Sequence, residues 1–220
     1  MTPYDIKFGK DLKLNVGSGN HRTPGWISVD YTESGWLGEN KKIDNNEIDI
    51  NYNVIKKGIP FSNDTINCIY SSHFLEHMTW HDGILFLKEC YRVLKIGGKI
   101  RLVVPDGDFF LKKFLEKDLK FFKDPQKCYN NWQGTLTDTF LWNFLGAFTI
   151  PKEQHFGRHA MFYNFENLEY RLKLMKFSGI FKKEYNKSSF EEFLPEGKFF
   201  KENKFPRETK SSLFIEAMKG

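Results

Sequence analysis

Apolar residues in the first half of the chain fall into short blocks separated by turn residues. Residues 12–16 are apolar-rich and closed by Gly17-Ser18-Gly19, and residues 26–29 run up to Asp30. Residues 48–54 form a weaker, interrupted block, 66–70 a fourth, and 99–104 a fifth that ends at Pro105-Asp106. Near-continuous apolar runs of this length predict strands buried on both faces. Between the fourth and fifth blocks the period changes. Ile84, Leu87, Tyr91 and Leu94 share one face of a helix predicted over 83–95, with Gly97-Gly98 as its stop. A strand, a helix and a strand at this spacing predict a parallel crossover, hence an α/β fold with a doubly wound sheet.

The second half is less regular. Residues 109–122 read as helix. A stretch punctuated by Pro, Asn and Gly and dense in Phe and Trp follows. A helix over 164–177 begins with Asn164 as its cap, carries Leu168, Leu172 and Met175, and stops at Gly179. Two β-type runs, 181–188 and 212–218, close the chain.

Composition narrows the function classes. The chain has 220 residues, enough for one well-buried domain or a domain with a large insertion. No run approaches the roughly 18 apolar residues of a membrane span, and the first residues lack a signal-peptide pattern. Cys68, Cys90 and Cys128 are widely spaced, which predicts reduced thiols in a cytoplasmic protein rather than a disulfide framework. The formal charge is +5, but only six of the 33 basic residues are Arg, and no basic run exceeds two. Dispersed Lys predicts a solvated surface and argues against a nucleic-acid partner. Aromatic residues reach 17% of the chain. Twelve of them fall within the 54 residues of 107–160, including Trp132, Phe140, Trp142, Phe144, Phe148 and Phe156.

Gly17 and Gly19, directly after a strand, let a ligand approach the backbone. Asp30, at the end of the next strand, stands where an open parallel sheet binds ligands and can accept both hydrogen bonds of a ribose diol. The dinucleotide fingerprint fails, because its third glycine position is Arg22 and Asp30 follows Gly17 by only 13 residues. Residues 20–25 are too short for the full helix whose N-terminus a pyrophosphate wants. The loop suits a nucleoside with no phosphate to hold.

The chain resembles class I S-adenosylmethionine-dependent methyltransferases with the type 11 methyltransferase domain, in a compact subgroup with a shortened first helix. Leu14-Asn15-Val16-Gly17-Ser18-Gly19, Gly25-Trp26-Ile27-Ser28-Val29-Asp30 and Ile59-Pro60-Phe61-Ser62-Asn63-Asp64 carry the resemblance. Ser71-Ser72-His73-Phe74-Leu75-Glu76-His77 carries it further, as do Arg92-Val93-Leu94-Lys95 and Gly97-Gly98-Lys99 in the stretch 87–105. It covers 12–106 well and 163–219 more loosely.

The resemblance implies a three-layer Rossmann-like sheet of about seven strands, mostly parallel with an antiparallel C-terminal strand. A helical, aromatic insertion at 107–160 would form an acceptor lid within a single domain, 1–220. It implies S-adenosylmethionine as cofactor. Gly17, Ser18 and Gly19 would lie against its methionine part, Asp30 would hold the ribose, and Asn53 (or Asn51) the adenine amino group. Ser71, Ser72 and His73 would line the pocket, with Asn15 on the first strand where the family often has an acid.

A sulfonium methyl is already activated, so the enzyme needs in-line approach and dryness, and a base only for a protonated acceptor. His159 and then His155 are the candidates for base or acceptor contact. His73 and His77 stand near the end of the fourth strand, and Glu76 either shapes the pocket or favours a helix start. No pair of ligand types has clear metal spacing, so no metal is expected. The predicted function is methyl transfer, by O-methylation, to a small-molecule or saccharide acceptor. The alternatives are RNA or protein methylation, and a non-catalytic module that binds the cofactor. The oligomeric state is not encoded legibly.

Overall fold

In the computed structural model the described residues are 2–19, 22–31, 48–123, 134–145, 159–194 and 208–220. Helix α1 (Pro3–Phe8) opens the chain, with Thr2 and Asp5 closing a reciprocal capping box. Strands β1 (Leu12–Val16), β2 (Ile27–Asp30) and β3 (Ile50–Asn51) follow, then the short α2 (Val54–Lys57) and β4 (Ile66–Ser72). A 3₁₀ turn at Leu75–His77 leads into α3 (Trp80–Val93) and β5 (Leu94–Pro105). Helices α4 (Gly107–Leu115), α5 (Leu119–Phe122) and α6 (Leu136–Leu145) come next. The chain ends with α7 (Phe165–Leu174), β6 (Phe177–Lys183), α8 (Glu208–Ser211) and β7 (Ser212–Lys219).

The strands make one seven-stranded sheet in the order β3-β2-β1-β4-β5-β7-β6. β1 pairs in parallel with both β2 and β4, and β4 with β5. β7 runs antiparallel to both β5 and β6. The strand order reverses at β1, so the crevice at the carboxyl ends of β1 and β4 is the place where such sheets bind ligands.

One face of the sheet carries the main core. Leu14, Val16, Val29, Ile69, Leu102, Val104 and Ile215 pack there with Phe86, Leu87 and Cys90 of α3 and Leu168 and Leu172 of α7. The opposite face carries Trp26, Cys68, Tyr70, Val103 and Phe214, covered by Phe193 of a second 3₁₀ turn at Glu191–Phe193. On this second face Arg101 and Glu216, neighbours across β5 and β7, form a wholly buried ion pair at 2.7 Å. The guanidinium also donates to the carbonyls of Glu184 and Lys187, so the pair ties the covering segment to the sheet. Cys68 and Cys90 are buried free thiols. Among the described residues, no helix is long and apolar enough to cross a membrane.

Several boundaries differ from the sequence expectation for local reasons. α3 starts at Trp80 rather than 83, because the Thr79 side chain accepts from the Asp82 N–H. The double glycine does not stop it: β5 has begun at Leu94, and Gly97 (φ 74°) lies within a bulge where pairing passes from Leu94 to Lys99. α7 likewise ends before Gly179. The left-handed residue after it is Lys176, and Gly179 (φ 56°) sits inside β6 at a register shift. The helix expected over 109–122 is broken at Lys117 (φ 53°) and restarted by an Asp118 cap. The third strand shrinks to two residues because Asn53 caps α2.

The segment after β5 leaves and rejoins the sheet at one place. The Gly107 N–H donates to the Tyr163 carbonyl at 2.8 Å, so the two ends of 107–160 meet at the carboxyl end of β5. Its described aromatic residues pack on one another: Phe110, Phe121 and Phe122 are buried, with Phe109, Phe114 and Phe140 against them. That part of the aromatic excess is a small core of its own. Trp132, Phe148 and Phe156, and the side chains of Trp142 and Phe144, lie outside the described residues.

Candidate active site

The first corner of the site is built by a turn and one carboxylate. The Gly17 N–H donates to the Val29 carbonyl, turning the chain off the end of β1. Gly17 has φ 71°, and a Cβ there would lie 2.3 Å from the Phe74 ring. Two constraints therefore select glycine, a left-handed backbone and an aromatic ring directly beneath it. The Gly19 N–H donates to Asp30 Oδ2 at 2.7 Å, and the Tyr31 N–H to Oδ1 at 2.6 Å. Burial pushes the Asp30 carboxyl above its ordinary range, and the two backbone donors only partly oppose it.

Asn15 and Ser18 are buried beside this turn. Asn15 lies in register with Ser28 on β2 and Tyr70 on β4. The Ser71 and Ser72 hydroxyls at the end of β4 are buried with no hydrogen-bond partner. Buried orphan hydroxyls are costly unless a ligand or water completes them, so their presence at a strand end fits a polar ligand. Asn53 Oδ1 accepts the Lys56 N–H at 3.0 Å, so one of its lone pairs is spent on the α2 cap. Sequence reading gave Asn53 no such structural task.

The second corner begins where β4 ends. His73 takes φ 49° and its N–H donates to the Val103 carbonyl. Its Nε2 is 3.0 Å from Ser212 Oγ and its Nδ1 is 3.2 Å from Glu76 Oε1. Glu76 is only 1% exposed. His77 Nε2 approaches the same Oε1 to 3.8 Å, and the His77 and His159 rings meet edge to face with centroids 5.0 Å apart. Burial alone would raise the Glu76 carboxyl. The contact with His73 and the nearby His77 and His159 overcome it and hold the group down to about 2. His159 is brought 82 residues along the chain to this place by its neighbours: the Ala160 and Met161 N–H groups both donate to the Glu76 carbonyl, at 2.7 and 3.1 Å.

The structure thus groups Gly17, Gly19 and Asp30 in one corner and His73, Glu76, His77 and His159 in the other. Phe74, between His73 and the 3₁₀ turn, lies under Gly17 and joins them. His155 and Arg158 lie outside the described residues. Glu76 as the hub of three imidazoles was not legible in the sequence. The Glu76-His77 dipeptide was its only local trace, and His159 enters through tertiary hydrogen bonds. Spacing along the chain showed no metal-ligand pattern; in the fold, Glu76, His77 and His159 bring three possible ligand atoms within 4.8 Å of one another.

Residues 14–102 match a family described as a methyltransferase domain, of type 11. No curated protein matches the chain. A crystal structure of an S-adenosylmethionine-dependent methyltransferase from Archaeoglobus fulgidus is similar in fold, with a TM-score of 0.52 and 16% identity. That similarity covers 98% of this chain and 90% of the other. A methyltransferase from Thermotoga maritima gives a TM-score of 0.51 and 14% identity, covering 98% of this chain and 85% of its own. The matched residues run from β1 into β5 and contain the glycine turn, Asp30, the two serines and Glu76. Residues 14–102 are therefore read as a methyltransferase domain of type 11, and the chain as a whole has the fold of S-adenosylmethionine-dependent methyltransferases.

Proposed function

We propose that the chain transfers a methyl group from S-adenosylmethionine to a hydroxyl oxygen of a small-molecule or saccharide acceptor. The observation that supports this most directly is the buried Glu76 with His77 and His159, set beside the glycine turn through Phe74. The cofactor supplies, when bound, an electrophilic methyl whose bond to sulfur breaks, with its electrons left on sulfur, as the acceptor oxygen bonds to carbon.

The chain's own residues do the rest. The backbone at Gly17, Ser18 and Gly19 gives the methionine part a surface without side chains in the way. Asp30 accepts from the ribose hydroxyls, and each of its oxygens keeps a lone pair beyond the backbone N–H it already holds. Ser71 and Ser72 offer their unpartnered hydroxyls, with Asn15 and His73 beside them. Asn53 presents its second lone pair to the adenine amino group. A hydroxyl acceptor must lose its proton as the new bond forms, and the Glu76–His77–His159 cluster is where that loss is placed. The segment 107–160 starts and ends at this edge, which suits it to cover the acceptor.

The test is calorimetric titration with S-adenosylhomocysteine, followed by transfer of labelled methyl to a panel of sugars and small hydroxylated compounds. Binding with transfer to a hydroxyl supports the reading. Transfer to RNA or protein alone replaces the acceptor assignment, and binding with no transfer to any class favours a non-catalytic module.

A further inference from the structure

We propose that Glu76, His77 and His159 form a binding site for a divalent transition-metal ion of the zinc class. The first support is the ligand set. Two imidazoles and one carboxylate are a donor combination for such ions, and three protein ligands leave a position open for substrate. Their ligand atoms lie within 4.8 Å of one another. Bonds of about 2.0–2.2 Å bring such atoms to roughly 3–3.5 Å apart, a contraction within reach of small side-chain rotations.

The second support is the state of Glu76. The carboxylate is buried, and neither oxygen has a hydrogen bond of good geometry, although the His73 and His77 rings approach it. Only imidazoles face this buried carboxylate, and a cation held between it and two of them would complete its partners. The third support is preorganisation. Backbone bonds from Ala160 and Met161 to the Glu76 carbonyl hold His159 in place without help from the three ligating side chains. His73 stands behind the carboxylate with Nδ1 toward Oε1, while Ser212 fixes its other nitrogen, an arrangement suited to orienting a ligand from outside the coordination sphere. Magnesium prefers nearly all-oxygen octahedral surroundings, which this set does not provide.

The role of the ion rests on the methyl-transfer reading, but the existence of the site does not. An acceptor hydroxyl at the open position would lose its proton to solvent water more readily, and its oxygen would then attack the methyl carbon. His159 would serve as a ligand in that case.

The experiment uses the tag-free chain, stripped with a chelator and dialysed, then titrated calorimetrically with zinc chloride and magnesium chloride. S-adenosylhomocysteine binding is measured in parallel as a readout of folding. One saturable zinc site per chain, tighter than any magnesium binding, is expected. His77→Ala and His159→Ala should each weaken zinc by at least about tenfold while S-adenosylhomocysteine still binds. The exposed His81→Ala should change neither. No saturable zinc binding by the stripped chain, or unchanged zinc affinity in both ligand variants, overturns the proposal. Zinc binding without S-adenosylhomocysteine binding supports the metal site and overturns the cofactor assignment instead.

Discussion

Two carboxylates stand at the same edge of the sheet, Asp30 half-buried and Glu76 buried, and their surroundings drive them in opposite directions. Asp30 sits among backbone N–H groups and apolar walls, and burial raises it. Glu76 is more enclosed, yet the imidazoles around it hold it near 2. Burial by itself therefore does not decide the charge of an acid at this edge; the neighbouring side chains do. The Asp30 corner suits uncharged donors such as ribose hydroxyls, which need a good acceptor but bring no charge. The Glu76 corner suits a cation or a proton in transit.

The largest perturbation should strike both corners at once, through the residue that joins them. Gly17→Ala forces alanine into a left-handed backbone and drives its Cβ against the root of the Phe74 side chain, which no rotation of the ring tip relieves. The combined cost is about 3 kcal/mol. Urea denaturation should show that loss, and S-adenosylhomocysteine binding should vanish. Adding Phe74→Gly, which removes the Phe74 Cβ as well as the ring, should recover only the steric part. Full recovery by the double variant would show that the backbone conformation carries none of the constraint.

His159→Ala should affect the second corner alone. Turnover on a hydroxyl acceptor should fall by at least ~100-fold, the scale of a lost proton-removal function. S-adenosylhomocysteine affinity should stay within error. If that affinity falls in step with turnover, the corners are one site and the contrast between them fails.

The two corners also differ in how much of each the sequence displays. Gly17, Gly19 and Asp30 lie in adjacent strand-end turns, so motif and period reveal them together. The parallel half of the sheet is legible for the same reason, because its strands are continuous apolar runs. The second corner depends on Ala160 and Met161 finding the Glu76 carbonyl, and no local pattern announces a backbone bond across that distance. Arg101 and Glu216 are hidden in the same way: each interrupts an apolar strand, and only the antiparallel register of β5 and β7 puts them face to face. Glycine also misled the boundaries. Gly97 and Gly179 mark bulges inside strands, whereas Lys176 supplies the left-handed residue after α7.

Asp30→Ala should leave the second corner intact and weaken S-adenosylhomocysteine by about 1.5–3 kcal/mol, the scale of a hydrogen bond to a charged group. The direction of the Asp30 shift adds a pH test. Ribose hydroxyls donate to the ionised carboxylate, so affinity should be full above the raised value and decline as pH falls through it. That decline should begin above the ordinary carboxylate range near 3.8, and it should be absent in Asp30→Asn. A pH profile shared by wild type and Asp30→Asn would remove Asp30 from ribose binding.

The smallest effect concerns Asn53, where structure and binding make competing demands on one oxygen. Its Oδ1 caps α2 through the Lys56 N–H, so Asn53→Ala should cost about 1 kcal/mol of stability by urea denaturation. If the second lone pair also meets adenine, the same variant should weaken S-adenosylhomocysteine by about 1 kcal/mol, the worth of a neutral hydrogen bond. Asn53→Ser separates the two, because serine caps a helix nearly as well but is too short to hold both partners. Its stability should lie within a few tenths of a kcal/mol of wild type, while its affinity matches that of Asn53→Ala. Should serine and alanine both bind S-adenosylhomocysteine as wild type does, Asn53 is a cap and nothing more, and the adenine contact passes to Asn51, which pairs with Asp30 at the end of β3.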